Sequence, residues 1–562
     1  YGRVLEDCRR FPHARGKPRA LRRGARSLHR PSEKREHVPY RAVYSWFVRN
    51  LMRDGKDKIS VHCNPITNFQ RVLACFDGMC YNTPRRLLTK GKDQLTEMEQ
   101  TKENAEQVSA SAHTAGSVGT KDLTQGDYRR TLISFALPVF LSQLFQQLYN
   151  SVDSLVVGNF RGKEALAAVS SSGNLIFLFV SFFAGAAMGA GVVISRYFGA
   201  KDEKKVSVAI HTGILLGLIS GVTLCVAGVL LSPQILRLMG TDSAVLPQSI
   251  SYFRWYFVGT PAIILYNVFM GIMNALGDSR RPLYYLIFSS LLNIVLDLLF
   301  VGALGQGVAS AAVATTISQG LSALLCLRHL MRKGEIYTVS LRRLRLNGAM
   351  AGEILRYGLP TGVQNSVIAL ANLLVQTNIN SFGKDAMAAC GSYSKIEGFA
   401  FMPITSFSMA LTTYVGQNMG AGKTERVQNG ARFGILMCLL LAEFIGLIVF
   451  FGGRYLIAAF DRDPEVIRIG AQQCHVEALF FFLLAFSHCI AGICRGSGRA
   501  VVPMLIMLSV WCVFRICYIT VAMRICHDIR LLFLAYPITW TISSIIYFIY
   551  YKCSGWQKGF AK

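Results

Sequence analysis

The chain has 562 residues, 52% of them hydrophobic, and a formal net charge of +27 from 59 Lys and Arg against 32 Asp and Glu. From residue 128 to residue 553 apolar runs of about 20 residues recur, each enough to cross roughly 30 Å of hydrocarbon, and a dozen in series exclude a soluble globular domain. The chain has no H-E-x-x-H, Walker loop or nucleophile elbow, which argues against a membrane hydrolase and against nucleotide-driven pumping.

The beginning of the chain differs from the rest. Residues 1–60 hold 17 Lys and Arg against 6 Asp and Glu, as in R-G-K-P-R-A-L-R-R-G-A-R (15–26). Such an arm suggests nucleic acid or anionic lipid. Here it lacks both the apolar core of a signal peptide and the hydrophobic period of a folded domain. Residues 1–127 are therefore expected to be a basic leader, disordered or spurious, with the true start near residue 98 at M-E-Q-T-K-E-N-A-E-Q and with no nucleic-acid partner. Four of the 15 cysteines, Cys8, Cys63, Cys75 and Cys80, fall here without paired zinc spacing. The other eleven are scattered through apolar segments, where Cys behaves as a small hydrophobe. No cofactor is expected.

Twelve apolar segments follow, at 131–159, 164–192, 207–232, 250–274, 283–304, 308–330, 353–381, 386–413, 429–452, 470–493, 502–524 and 530–551. The expected organisation is an N-lobe of helices one to six (128–330), a cytoplasmic linker (331–352), a C-lobe of helices seven to twelve (353–553) and a cytoplasmic tail (554–562). Alternate connections carry the positive charge: S-R-Y-F-G-A-K-D-E-K-K, G-D-S-R-R-P, the linker, G-K-T-E-R, R-G-S-G-R and K-C-S-G-W-Q-K. That bias places them, and both termini, in the cytoplasm.

The two halves repeat. F-A-L-P (135–138) matches Y-G-L-P (357–360), and F-R-G-K-E-A-L-A-A (160–168) matches F-G-K-D-A-M-A-A (382–389) with one residue deleted. Beyond the deletion the spacing stays at 221 residues for Gly199/Gly420, Gly271/Gly492, Gly277/Gly498 and Pro282/Pro503. Each unit has six spans, so both enter the membrane in the same direction. The expected fold is an all-α integral membrane protein of twelve transmembrane helices, in two six-helix lobes related by a pseudo-two-fold axis along the membrane normal.

An ionisable group at membrane depth costs about 2.5–3.5 kcal/mol on insertion scales and by default marks function. Gln146, Asn150 and Asp153 share one face of the first helix, and Asn293 and Asp297, four apart, share one face of the fifth. Thr315 and Thr316 lie in the sixth. Interhelical polar glue, worth about 0.6 kcal/mol per bond, accounts for amides and hydroxyls but needs no carboxylate. In the second half Val375, Phe514 and Tyr518 stand at the repeat positions of Asp153, Asn293 and Asp297. Glu477, beside His475 in helix ten, is the weaker acid candidate there. Arg515 in helix eleven pairs with Glu477 or Glu443, or snorkels to the interface. Phe145, Tyr149, Tyr256, Tyr266, Phe399 and Phe401 are candidate walls for a lipophilic cation, or ordinary packing.

The A-L-P opening, Y-N-S-V-D-S-L-V-V-G, R-Y-F-G-A-K-D, M-N-A-L-G-D-S-R-R-P, L-N-I-V-L-D-L-L-F, Q-N-M-G-A-G and C-R-G-S-G-R-A-V-V-P occur in order. Over residues 128–553 the chain resembles the multidrug and toxic compound extrusion (MATE) family of secondary transporters, prokaryotic type. The resemblance implies efflux of organic compounds, cationic and lipophilic, in exchange for H+ or Na+. It implies an ion-coupling cluster of Asp153, Asn293, Asp297 and Thr315, with Na+ taken at Asp153, Asn293 and Asp297. Substrate contacts are expected at Gln146, Tyr149, Asn150, Tyr266 and Glu477. The expected setting is the bacterial plasma membrane, as a monomer among lipids. The alternative is a flippase for a lipid-linked saccharide of the same superfamily.

Overall fold

Asp127 opens the first helix by accepting the backbone N–H of Arg129 on its side chain, as Asn347 and Asp528 do for later helices, each satisfying a donor that the helix start leaves free. At the second helix the backbone N–H and ammonium of Lys205 hold the Asp202 carboxyl below the usual carboxylate range. The computed structural model describes residues 122–238, 245–332 and 337–558, without the side chains of 154, 162–175 and 558. All belong to one unit, Thr101–Lys562. The expected leader over 1–97 and the start near 98 lie outside the described residues.

The helices are α1 (Tyr128–Gly199), α2 (Glu203–Leu238), α3 (Leu246–Ala275), α4 (Arg280–Asp297, continued as a π-helix over Leu298–Ala303), α5 (Ala309–Leu330), α6 (Gly348–Asn380), α7 (Lys384–Gly420) and α8 (Thr424–Ala458). Then come α9 (Pro464–Glu477), α10 (Phe481–Gly496), α11 (Val501–Met507, continued as a π-helix over Leu508–Phe514), α12 (Arg515–Ile525) and α13 (Ile529–Cys553). No strand occurs among the described residues.

Among the described residues ten stretches are long and apolar enough to cross a membrane, two of them within α1 at Tyr128–Arg161 and Ile176–Gly199. With α6 and α7 they make the expected twelve. Those two are less apolar because they carry Gln364, Asn365, Asn372, Gln376 and many Ser and Thr. Helical backbone continues over Tyr128–Gly199, yet both ends meet Gln417, Leu123 at its side chain and Gly199 at its backbone, where a straight helix of that length would set them about 100 Å apart; the chain turns back between the two spans, in line with the expected helices at 131–159 and 164–192. The backbone that joins the two spans stays helical, with no Pro between Pro138 and Gly199 and an A-L-A-A run that favours helix. In the second half the one-residue deletion leaves Gly383 at φ +96°, which ends α6 and starts α7.

The surface is inverted relative to a water-soluble bundle. On α8, Leu436, Leu440, Phe444, Leu447, Phe451 and Tyr455 form an exposed stripe, while Gly430, Ala431, Gly434, Ala442, Gly446 and Gly453 face inward. Large apolar groups outside and small residues inside is the arrangement lipid favours, because close helix approach replaces the hydrophobic drive that water would supply.

Two hydrophobic cores form, one per lobe, and each borrows from the other half. Leu123, Leu132, Phe135, Ala136 and Val139, at the start of the first half, sit in the C-lobe core. Met350, Ile354 and Tyr357, at the start of the second half, sit in the N-lobe core. The exchange follows the repeat, since Phe135 and Tyr357 are equivalent residues.

At the basic end of the bundle the lobes are in contact. A Cβ on Gly199 would overlap the Gln417 carbonyl and one on Gly420 the Arg196 carbonyl, so these matched glycines let α1 and α7 cross backbone to backbone. Arg196 pairs with Glu353 at 3.1 Å, and Tyr197 donates to the same carboxylate at 2.8 Å. Gln417 accepts from the Leu123 N–H at 3.0 Å and donates to the Ala275 carbonyl at 2.7 Å. Arg426 and Lys423 hold the 123–126 segment by its carbonyls. Gln428 reaches Gln557, so the described beginning and end of the chain lie at this same end.

Candidate functional site

The N-lobe brings α1, α4 and α5 together around a small, tightly closed polar pocket lined by Tyr149, Ser289, Ser290, Asn293, Thr315, Ser318 and Gln319. Asn293 is 1% and Asp297 0% exposed. The helical period explains the set: Ser289 and Ser290 precede Asn293 by one turn, and Ser318 and Gln319 follow Thr315 by one turn. Turned so that its nitrogen faces the acid, the Asn293 amide donates to Asp297 Oδ2 at 3.2 Å and accepts from Thr315 N at 3.3 Å. That orientation suits the ionised acid, because a carboxylate cannot receive a hydrogen bond from an amide oxygen.

Asp153, 9% exposed on α1, is the charged neighbour of Asp297. Oδ1 of Asp153 and Oδ1 of Asp297 are both buried without a hydrogen-bond partner. No Lys or Arg lies within ion-pair distance of either carboxylate among the described residues. The Tyr149 hydroxyl takes a hydrogen bond from Gln319 Nε2 at 3.3 Å and is also reached by Gln146. Tyr266 is 1% exposed, electrostatically coupled to Tyr149, with a hydroxyl that lacks a partner. Thr316 turns away and bonds the Ala312 carbonyl.

The arrangement therefore assembles Asp153, Asn293, Asp297, Thr315, Gln146 and Tyr149 in one neighbourhood. Asn150 is exposed on α1 and does not line the pocket. Oxygen donors from Asp153, Asp297, the Asn293 and Thr315 side chains suit a proton or a hard monovalent cation. Two unpartnered carboxylate oxygens are the feature such a group would satisfy.

Glu477 stands apart, in the C-lobe at 0% exposure. It accepts from Tyr393 Oη at 3.0 Å and from Gln473 Nε2 at 2.9 Å. His475 is not its partner: its Nδ1 lies 2.6 Å from the Ala471 carbonyl and its ring meets Phe450. Arg515 is 2% exposed and does not snorkel. Its Nη2 donates to Thr539 at 2.9 Å, and its guanidinium lies 4.5 Å from the Tyr536 ring and 5.3 Å from the Trp511 ring. Its acidic neighbours are Glu397 and Glu477; Glu443 lies beside the Phe482 backbone. Sequence reasoning had not singled out Glu397, whose place is visible only once α7 packs on α9, the helix that carries Glu477.

A family profile, MatE, matches residues 138–299 and 360–520, one copy on each half. The chain is 27% identical to the probable multidrug resistance protein YoeA of Bacillus subtilis, over 76% of this chain and 94% of that protein. It is 29% identical to the probable multidrug resistance protein NorM of Thermotoga maritima, over 68% of this chain and 84% of that protein. In structure it superposes on a MOP superfamily transporter from Pyrococcus furiosus with a TM-score of 0.74 at 23% identity, covering 79% of this chain and all of that one.

Proposed function

The chain belongs to the MatE family, and from that premise we propose that it is a secondary efflux transporter, not an enzyme, exporting lipophilic organic cations in exchange for H+ or Na+. The observation that carries the reading is the pair of buried, unpartnered carboxylate oxygens on Asp153 and Asp297. A carboxylate at this depth is expensive without a proton or cation, so the pocket's ion occupancy and the packing of α1 against α4 are linked. Substrate that favours one packing then changes ion affinity, and the ion changes substrate affinity by the same factor. Relatives named as multidrug resistance proteins support export of varied compounds.

The basic end is cytoplasmic in this reading, so the lobes are closed toward the cytoplasm and both chain ends face it, in a bacterial plasma membrane and as a monomer. Single Cys labels at 341–346 and at 554–557 are expected to react only from the cytoplasmic side of intact cells; labelling from outside overturns the orientation. The coupling ion is identified with the purified chain in proteoliposomes, by imposing a pH gradient and a sodium gradient separately and following a fluorescent cation. One gradient drives uphill movement on this reading, and movement insensitive to both rejects it.

A further inference from the structure

The segment that joins α5 to α6 has no part in the efflux reading. From Arg328, in the last turn of α5, to Arg345, three residues before α6, it holds six Lys and Arg against one acid, Glu335. A free loop of this composition would lie in water. This one is fixed from Tyr337 onward. Tyr337 and Val339 are buried in the N-lobe core. The Val339 N–H donates to the Leu330 carbonyl at 2.8 Å, and the Ser340 N–H donates to Nε2 of the buried His211 on α2 at 3.1 Å. A 3-10 turn over Leu341–Arg343 follows, and Leu344 packs against the same core.

The anchored turn presents two kinds of side chain to its surroundings. Arg342, Arg343 and Arg345 are exposed, and none has a carboxylate within ion-pair distance among the described residues. Leu341 and Leu346 flank them at 53% and 50% exposure. Large apolar groups held outward by a fixed backbone gain nothing from water. The adjoining helix shows how far the apolar surface reaches. Ile317, Leu324 and Met331 of α5, spaced by seven and so on one face, are all exposed, and Met331 stands at the C-terminal cap. The turn therefore begins where the lipid-facing surface ends.

We propose that the turn over 341–346 docks on the bilayer surface and holds anionic phospholipid, with Arg342, Arg343 and Arg345 on the headgroup phosphates and Leu341 and Leu346 at the acyl boundary. Clusters of about four to eight Lys and Arg beside a span attract anionic lipid, each cation by about a factor of five. A guanidinium fork takes two phosphate oxygens at once. A nucleic acid or an acidic protein would answer the arginines and leave both leucines in water; a membrane answers both.

The test places an environment-sensitive fluorophore on Leu346→Cys of the full chain, in a background free of other reactive cysteines, reconstituted in phosphatidylcholine bilayers. Phosphatidylglycerol and phosphatidylcholine, each carrying a nitroxide high on the acyl chain, are compared as quenchers at equal mole fraction. Both leaflets carry the quencher, so the result does not depend on orientation. Phosphatidylglycerol is expected to quench as if enriched about fivefold or more at low salt, and to fall toward equality at about 1 M NaCl, where screening is complete within about 3 Å. In the Arg342→Gln, Arg343→Gln, Arg345→Gln variant the ratio falls to about one while phosphatidylcholine still quenches, which shows that the turn keeps its place. The same fluorophore on Leu304→Cys, exposed at the other end of α5, shows no preference. Quenching by neither lipid, equal quenching by both in the parent chain, or an unchanged preference in the triple variant overturns the proposal. Loss of the preference to excess glycerol 1-phosphate at constant ionic strength also overturns it, and assigns the arginines to a free phosphate.

Discussion

Asp297→Asn is expected to insert and fold like the parent chain and to lose gradient-driven efflux down to the background of empty vesicles. The substitution keeps the shape of the side chain and its ability to bond the Asn293 amide. It removes a group whose charge a proton can neutralise or a cation can balance. It also removes a buried charge that insertion scales place at about 2.5–3.5 kcal/mol at a helix centre, so folding is not impaired. Asp153→Asn is expected to act in the same direction, because Asp153 is the charged neighbour of Asp297. Efflux from proteoliposomes under the driving gradient checks both variants. Normal transport by both would leave the two residues as structural glue. Failure of Asp297→Asn alone would assign the site to α4, with Asp153 in support.

Gly420→Val and Gly199→Val form the second large effect. At either position the added Cβ meets a backbone carbonyl of the opposite lobe, which cannot rotate aside as a side chain could. An ordinary carbon contact needs about 3.5 Å, so the basic end has to open by on the order of 1 Å or more, and packed interfaces yield by switching state, not by stretching. Spin labels at Lys204 and Glu425, both exposed at this end, report the separation in a background free of other reactive cysteines. The closed population is expected to fall and transport to drop about tenfold or more, since a 1.4 kcal/mol bias is already a factor of ten. Gly352→Val, at a helical glycine with open space around it, serves as the matched control and is expected to change neither. Equal behaviour of all three variants would contradict the role given to the crossing.

Asn293 and Asp297 were legible because two polar side chains at helical spacing stand out in an oily span, and Thr315 was legible through the family resemblance. Ser289, Ser290, Ser318 and Gln319 were not, although each lies one turn from a residue that was. Ser and Gln are common interhelical glue, so type and spacing do not single them out. The exposed place of Asn150 shows the limit of face arguments: spacing says which residues align along a helix, while the neighbouring helix decides which of them it covers. The twelve spans could be read from hydropathy, but the helical backbone that joins the first two could not, because a glycine-containing connection reads as a turn. The placement of Leu132 and Phe135 in the core of the opposite lobe depends on packing between segments about 300 residues apart, which no local pattern encodes.

The central claim is that Asp153 and Asp297 hold the exchanged ion. It is tested most directly by ion release on substrate binding, without any gradient. Rhodamine 6G is added to the purified chain in weakly buffered detergent, once with a pH indicator and once after equilibration with radioactive sodium. The expected result is release of about one proton or one sodium ion per chain, reciprocal to the substrate affinity, and none from the Asp153→Asn, Asp297→Asn double variant at equal dye occupancy. Release of the same amount from the double variant, or dye binding by wild type with no release of either ion, would contradict it.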